Sequence, residues 1–367
     1  MSHTAPITSL ETFPVSIPFV DGGKGTGATP SRWHTLDMVL VRLEDEDGHV
    51  GWGDSFSYFC TSATHAAVND MIAPSVIGRA IEDISAWNIE VQKKLHLFGR
   101  YGITTFALSG VDIALWDLQA KRNGEPLAAA VAGSMVTPRA MPAYASLVRY
   151  GDIDLVRHHC QRAIDRGFHH IKLHEVEPQI IAAAREVIGP DAVLMVDANC
   201  AWTIEEAIAQ VPSLKASNVL WIEEPIFPPD DYDGHRQIEM AGMAVGAGEN
   251  ASTAFDFARL SKSLRFPQPS VTKVGGVSEF VGVVRDARAL GKSVMPHTPY
   301  FGPGFFATLA MAPLLPQDSL LEYLFVDPDG WLQPPPALVD GKMIVPEGAG
   351  IGFEPDPDML ERFAISA

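Results

Sequence analysis

Hydrophobic and polar positions follow a two-residue rhythm near the start of the chain. Residues 38–43 (MVLVRL) read as a strand, Asp47-Gly48 as a hairpin turn, and residues 49–53 as the returning strand. Between residues 20 and 33 the pattern is broken by DGGKGTGATPS, too rich in glycine to hold a fixed shape alone. Its place beside a hairpin predicts a flap over a site. Residues 62–122 switch to the helical period. Phe106, Val111, Ala114, Leu115 and Leu118 share one face of a helix over 104–121, which Gly124 and Pro126 stop. Together these runs predict an α+β region over about the first 130 residues.

From residue 141 the texture changes. Short β-rich runs (MPAYASL, HHIKLHE, AVLMVDAN, NVLWIEE, AVGAGE, SVTKV, SVMPH and SLLEYL) are separated mostly by amphipathic helical stretches such as 152–166, 177–188 and 203–217. Eight strands with helices between them, in about 190 residues, predict a parallel α/β barrel rather than an open sheet. A second period runs through this one. Lys172, Asp197, Glu223, Glu249, Lys273, His297 and Glu322 recur every 24–26 residues, close to one βα unit. Each is expected near the carboxyl end of its strand, where a barrel gathers such residues into one mouth.

The chemistry follows from the residue types. Asp197, Glu223 and Glu249 on adjacent strands would repel one another by roughly 4 kcal/mol per pair at an effective dielectric of 20. Either protons or a cation must offset that, and three carboxylates without Cys or His favour a hard ion such as Mg²⁺. Glu223 and Glu224 point to opposite sides of a strand, so one of them alone meets the ion directly. Lys172 and His174 face the same way. A lysine beside a dication has its pKa lowered and becomes a usable base, so Lys172 is assigned proton abstraction. His174 is a second base, a donor to substrate, or a partner that keeps Lys172 neutral. His297, across the mouth, is the second proton-transfer group. Glu322 either hydrogen-bonds a substrate carboxylate when protonated or orients a neighbour when ionised. His158, His159, His169, His170 and His235 lack this framing and read as surface or helix histidines. The set suits removal of a proton α to a carboxylate, with the cation offsetting the charge of the enediolate.

Composition narrows the partners. Of 367 residues, 47% are hydrophobic and 20% charged, the balance of a globular chain with a large core. A net charge of −18 repels phosphate backbones, so nucleic acid is not an expected partner. No apolar run is long enough to cross a membrane, and the first residues lack the basic and apolar regions of a signal peptide. Cys60, Cys160 and Cys200 form no CxxC pair, which argues against a disulfide frame and a thiolate zinc site. A cytoplasmic location is expected.

The chain resembles the mandelate racemase/muconate lactonizing enzyme family of the enolase superfamily over nearly its whole length. The resemblance is carried by VLVRLEDEDGHVGWGD, SGVDIALWDLQAKRNGEPLAAAVAG, IKLHE, MVDAN, WIEEP, GAGEN, TKVGG, PHTPYFGPG and LLEYL. It implies a modified (β/α)7β barrel over 136–330, an N-terminal α+β capping domain over 1–135, and a segment 331–367 returning to the cap. It also implies one Mg²⁺ on Asp197, Glu223 and Glu249, and a flap over about 20–33. By matching motif, Lys172 is the strand-two base, His297 the strand-seven base or acid, and Glu322 the acid that orients the carboxylate. Homo-oligomers are common in the family, and one is expected here.

Two departures shape the expected reaction. The family's Lys-x-Lys is here Lys172-Leu173-His174, and Ser270 stands where relatives carry Asp or a second Lys. Serine cannot raise the basicity of His297, which weighs against symmetrical two-base racemisation. Lys273 takes a supporting electrostatic role. The favoured reading is a Mg²⁺-dependent lyase or cycloisomerase on a small-molecule carboxylate, an acid-sugar dehydratase or an aldarolactone cycloisomerase. Tyr144, Ser146, Asn199, Asn250 and Tyr300 are expected to meet a hydroxylated substrate, Asn199 and Asn250 alternatively bracing the metal carboxylates. A racemase or epimerase of a hydroxy or amino acid is the alternative. A non-catalytic carboxylate-binding protein is the remote one, and it predicts ligand binding without α-proton exchange.

Overall fold

Strand alternation with both faces covered explains the first sheet. β1 (Ile7–Val20), β2 (Thr35–Asp45) and β3 (Val50–Phe56) form an antiparallel meander. On β2, Val39, Val41 and Leu43 enter one apolar cluster, with the cap helices. Leu36, Met38 and Leu40 enter the other, shared with the barrel. The alternation thus sends successive residues into two cores, and the strand reads as continuously apolar. The structure, a computed structural model, describes residues 4–20 and 33–366. The glycine-rich run assigned above as a flap lies outside the described residues apart from its flanks, Val20 and Trp33.

Helix Ile103–Asn123 packs on β3 and ends at Gly124, whose φ of 66° is left-handed. The contact is backbone on backbone. A Cβ added at Gly53 would stand 2.0 Å from the Gly110 carbonyl oxygen, so the WGD segment tolerates no side chain there.

The barrel strands are β4 (Met141–Ser146), β5 (His170–Leu173), β6 (Val193–Asp197), β7 (Val219–Glu223), β8 (Val245–Ala247), β9 (Phe266–Pro267) and β10 (Leu321–Leu324). β4 to β9 pair in parallel in that order, and β10 pairs β4 on its other side. Helices such as Ile153–Asp165, Pro178–Ile188 and Ile204–Ala216 connect them. The architecture is a modified (β/α)7β barrel with an α+β cap.

Two staves differ from the sequence reading. SVTKV is a turn, because the Ser270 carbonyl accepts from the Lys273 and Val274 amides at 3.0 and 2.9 Å. The strand lies just before it, at β9. SVMPH is extended without forming a regular ladder. Met295 and His297 donate to Pro267 and Pro269, but Pro296 between them has no N–H.

The C-terminal chain touches both parts. Asp327–Pro328 pairs with the end of β1, Ala364 bridges to Val15, and Lys342–Met343 pairs with the start of β4. Among the described residues no helix is long and apolar enough to cross a membrane.

Candidate active site

Register brings the acidic side chains together. Asp197 sits opposite Glu223 across β6 and β7, and Lys172 neighbours Ser146 across β4 and β5. The Lys172 ammonium is wholly buried among them. It lies 2.6 Å from Glu223 Oε1, 2.8 Å from Glu322 Oε1 and 3.5 Å from Asp197 Oδ2. Burial alone would push its pKa down. Glu223, Glu322 and Asp197 outweigh burial and push it well up. The ammonium thus bridges three of the acidic side chains beneath the cavity.

His174, two residues on, reaches higher. Its Nδ1 lies 2.5 Å from the Leu147 carbonyl oxygen and its Nε2 lies 3.2 Å from Asp197 Oδ2. Burial lowers its pKa, but Asp197 outweighs that and the net direction is up. Across the mouth, His297 Nε2 lies 2.7 Å from Glu249 Oε2, and its buried Nδ1 has no hydrogen-bond partner among the described residues. Ser270 does not supply one; it pairs with Tyr300 Oη at 3.0 Å, and Tyr300 Oη donates to the His297 carbonyl at 3.1 Å.

Glu322 accepts from Ser146 Oγ at 2.7 Å and from the Thr298 amide at 2.9 Å. Burial would raise its pKa; Lys172 and His297 prevail and draw it down, so the ionised form is favoured. Burial also opposes ionisation of Glu249, yet His297 and Lys273 hold it well below the usual carboxylate range. Glu224 is different. Burial, then the nearby Glu249 charge, push it well up, and its Oε2 has no partner among the described residues.

These groups border a cavity of about 340 Å³. From the barrel His174, Glu249, Lys273, His297 and Glu322 reach it, with Asn199 and Asn250 at its edge. Asn199 has a left-handed φ of 46°, and its amide donates to Asp197 Oδ1 at 2.8 Å. Tyr144, Ser146 and Tyr300 do not line the cavity. All three are buried, and Tyr144 packs on Trp221 with ring centroids 6.1 Å apart. His159 and His235 lie on helices but are buried rather than at the surface, and burial pushes His235 down to about 4.

Family models match both halves of the chain. Residues 28–131 match the mandelate racemase/muconate lactonizing enzyme N-terminal domain, and residues 155–359 match the enolase C-terminal domain-like model. The chain belongs to this family. The 3,6-anhydro-alpha-L-galactonate cycloisomerase of Streptomyces coelicolor is 30% identical, covering 93% of this chain and 95% of that protein. The arabinonate dehydratase of Saccharolobus solfataricus is 27% identical over 90% and 91%. A racemase from Streptomyces coelicolor, solved with bound magnesium, superposes with a TM-score of 0.88 at 28% identity, over 98% of this chain and 100% of that one. This member of the enolase superfamily is therefore an enzyme of the lyase or isomerase kind.

Whether the family's metal suits these residues is a question of donor chemistry. Asp197, Glu223, Glu224, Glu249 and Glu322 crowd one end of the barrel, against Lys172, Lys273 and two imidazoles. That cluster of carboxyl groups, all offering oxygen, together with the orphaned Glu224 oxygen, fits a hard dication. As the side chains stand, Lys172 and His297 engage the oxygens, and no three acidic, His or Cys groups among the described residues converge on one point.

Several supporting residues carried no signal in the sequence. Gln268 Nε2 and Trp221 Nε1 donate to Glu223 Oε2 at 2.6 and 3.2 Å. Gln268 stands in FPQPS, which has no readable period. On the cap side, Phe56, Tyr58 and Phe106 line the cavity, and the aromatic run SFSYF could have suggested such a wall.

Proposed function

We propose that this enzyme removes the proton α to the carboxylate of a hydroxylated small acid and then completes a dehydration or cycloisomerisation. One observation carries the reading: two imidazoles, His174 and His297, line one cavity above a floor of buried carboxylates bridged by Lys172. Asp197, Glu223 and Glu249 would hold one Mg²⁺ per chain. Bound there, it would offset the negative charge that builds on the substrate carboxylate.

The chain's own groups then divide the work. His174 donates Nδ1–H to the Leu147 carbonyl, which leaves Nε2 as its basic nitrogen. It accepts the α-proton, while Lys172 lies deeper, against Glu223 and Glu322. His297 returns a proton to the leaving group or to the enediolate. Glu322, fixed by Ser146 and Thr298, keeps Lys172 in position. The cycloisomerase and dehydratase relatives support a lyase or cycloisomerase. Two imidazoles on one cavity also suit a racemase, but no carboxylate stands behind His297 Nδ1 to orient it for symmetrical proton transfer.

The test is proton NMR in D₂O with Mg²⁺ and a panel of sugar acids and lactones. The wild type exchanges the α-proton and forms product. His174→Asn loses exchange, whereas His297→Asn exchanges without forming product. Full exchange in His174→Asn removes it from this role, and exchange with inversion but no new product establishes the racemase.

A further inference from the structure

Lys273 comes from the barrel, yet the groups that hold it belong to the cap. Its ammonium lies 4.7 Å from the Phe56 ring centroid and 5.9 Å from that of Phe106, with no hydrogen bond or ion pair among the described residues. Its main chain turns at Ser270 and leads into Gly275 and Gly276, whose φ values of 110° and 85° are left-handed. Cap helices Ile84–Leu95 and Ile103–Asn123 grip this turn. Ser109 Oγ donates to the Thr105 carbonyl at 2.7 Å, which leaves its lone pairs for the Gly275 amide, 2.9 Å away. Asn88 Nδ2 donates to the Gly275 carbonyl at 2.8 Å and to Asp112 Oδ2 at 2.7 Å. Asp112 Oδ1 accepts from the Ser278 amide at 3.0 Å, and a Cβ on Gly276 would stand 2.3 Å from it. All three side chains are buried.

Both polar groups of the Gly275 main chain are thus taken by side chains of the cap. From the barrel, beyond the turn's own bonds, the Val274 carbonyl accepts from the Thr253 amide at 3.1 Å. A buried main-chain group left unpaired is costly, so the turn keeps its place against Ser109 and Asn88, and Asp112 holds Asn88 and the start of helix Gly276–Ala289 in line with them. The turn carries an ammonium that borders the cavity and helps keep Glu249 ionised. We infer that Ser109, Asn88 and Asp112 are positioning residues that act through Lys273, fixing its turn on the cap so that the ammonium faces an anionic substrate. The inference rests on the carboxylate chemistry proposed above, and it adds three residues outside the cavity lining to those that govern binding there.

Two measurements test this, one of them without turnover. By hydrogen-exchange mass spectrometry on the Mg²⁺-loaded enzyme, amides 273–276 should exchange slowly in the wild type and about tenfold faster in Ser109→Ala and Asn88→Ala. By kinetics on an acid of the panel that turns over, each variant should raise KM about threefold with little change in kcat. Added to Lys273→Met, either change should raise KM no further, because the ammonium it positions is gone. Trp116→Phe loses a cap bond to Ser278 Oγ but none to the turn, and it should alter neither readout. Fast exchange in the wild type overturns the inference, as do unchanged exchange in both variants and KM effects that multiply with Lys273→Met. An equal effect of Trp116→Phe also overturns it, since general loosening would then suffice. If a variant fails to fold, the other variant and the wild-type exchange still decide. Faster exchange in the variants, with no α-deuteration or turnover of any acid, supports the cap's hold on the turn and refutes the proton-abstraction reading.

Discussion

Asp54 gives the cap a charge whose cost depends on pH. It lies on β3, 2% exposed, and accepts a hydrogen bond from the Gly304 amide at the start of barrel helix Pro303–Ala310. Burial raises its pKa from 3.8 to about 7, with the Gly304 amide pulling weakly the other way. The folded state therefore holds a proton that the unfolded chain releases near pH 4. Its stabilising contribution is complete below the unfolded pKa and is lost as pH rises through the folded one. At 1.36 kcal/mol per unit, the loss between pH 5 and 7 is about 2.5 kcal/mol. Asp54→Asn keeps the acceptor for Gly304 and cannot ionise. Urea denaturation of both proteins at pH 5, 6, 7 and 8, at fixed Mg²⁺, isolates the effect as a difference between them. Relative to the variant, the wild type should lose roughly that amount across the window, with the other titrating groups cancelling. A difference that stays flat from pH 5 to 8 refutes the argument.

Other perturbations test separate parts of the molecule. Gly53→Ala forces a Cβ to within 2.0 Å of the Gly110 carbonyl and 2.8 Å of the Ala114 amide. It should cost about 3 kcal/mol or more, read as thermal unfolding, and a wild-type Tm would disprove the close contact. Gln268→Leu removes a donor that orients Glu223, so calorimetric Mg²⁺ affinity should fall on the order of tenfold; unchanged affinity excludes that positioning role. Lys273→Met keeps the stem against Phe56 but removes the ammonium. It should raise KM by about tenfold with a smaller change in kcat, and the reverse pattern would assign Lys273 to the chemical step.

What was legible in the sequence was whatever repeats. The 24–26 residue spacing follows from the length of a βα unit, so Asp197, Glu223, Glu249, His297 and Glu322 meet at one end of the barrel. The motifs of the resemblance located the same positions. Depth along a strand was not legible. Alternation sends Lys172 and His174 inward together, yet one lies beneath the carboxylates and the other reaches the cavity. Tyr144 and Ser146 likewise lie on β4 outside the cavity lining. Turn chemistry also overrode propensity: the β-branched Val271 and Thr272 promise a strand, but the Ser270 carbonyl draws the chain into a turn. Contacts that join cap to barrel, Tyr58 with Pro299 and Asp54 with Gly304, span more than two hundred residues and leave no local trace. These contacts also divide the labour. The barrel's repeat supplies charge and proton transfer at fixed positions. The cap brings Phe56, from the end of β3, and Phe106, from the following helix, to the same cavity. Neither touches Lys172 or its carboxylates by hydrogen bond or ion pair, so the cap side can change in shape while those charged groups stay in place.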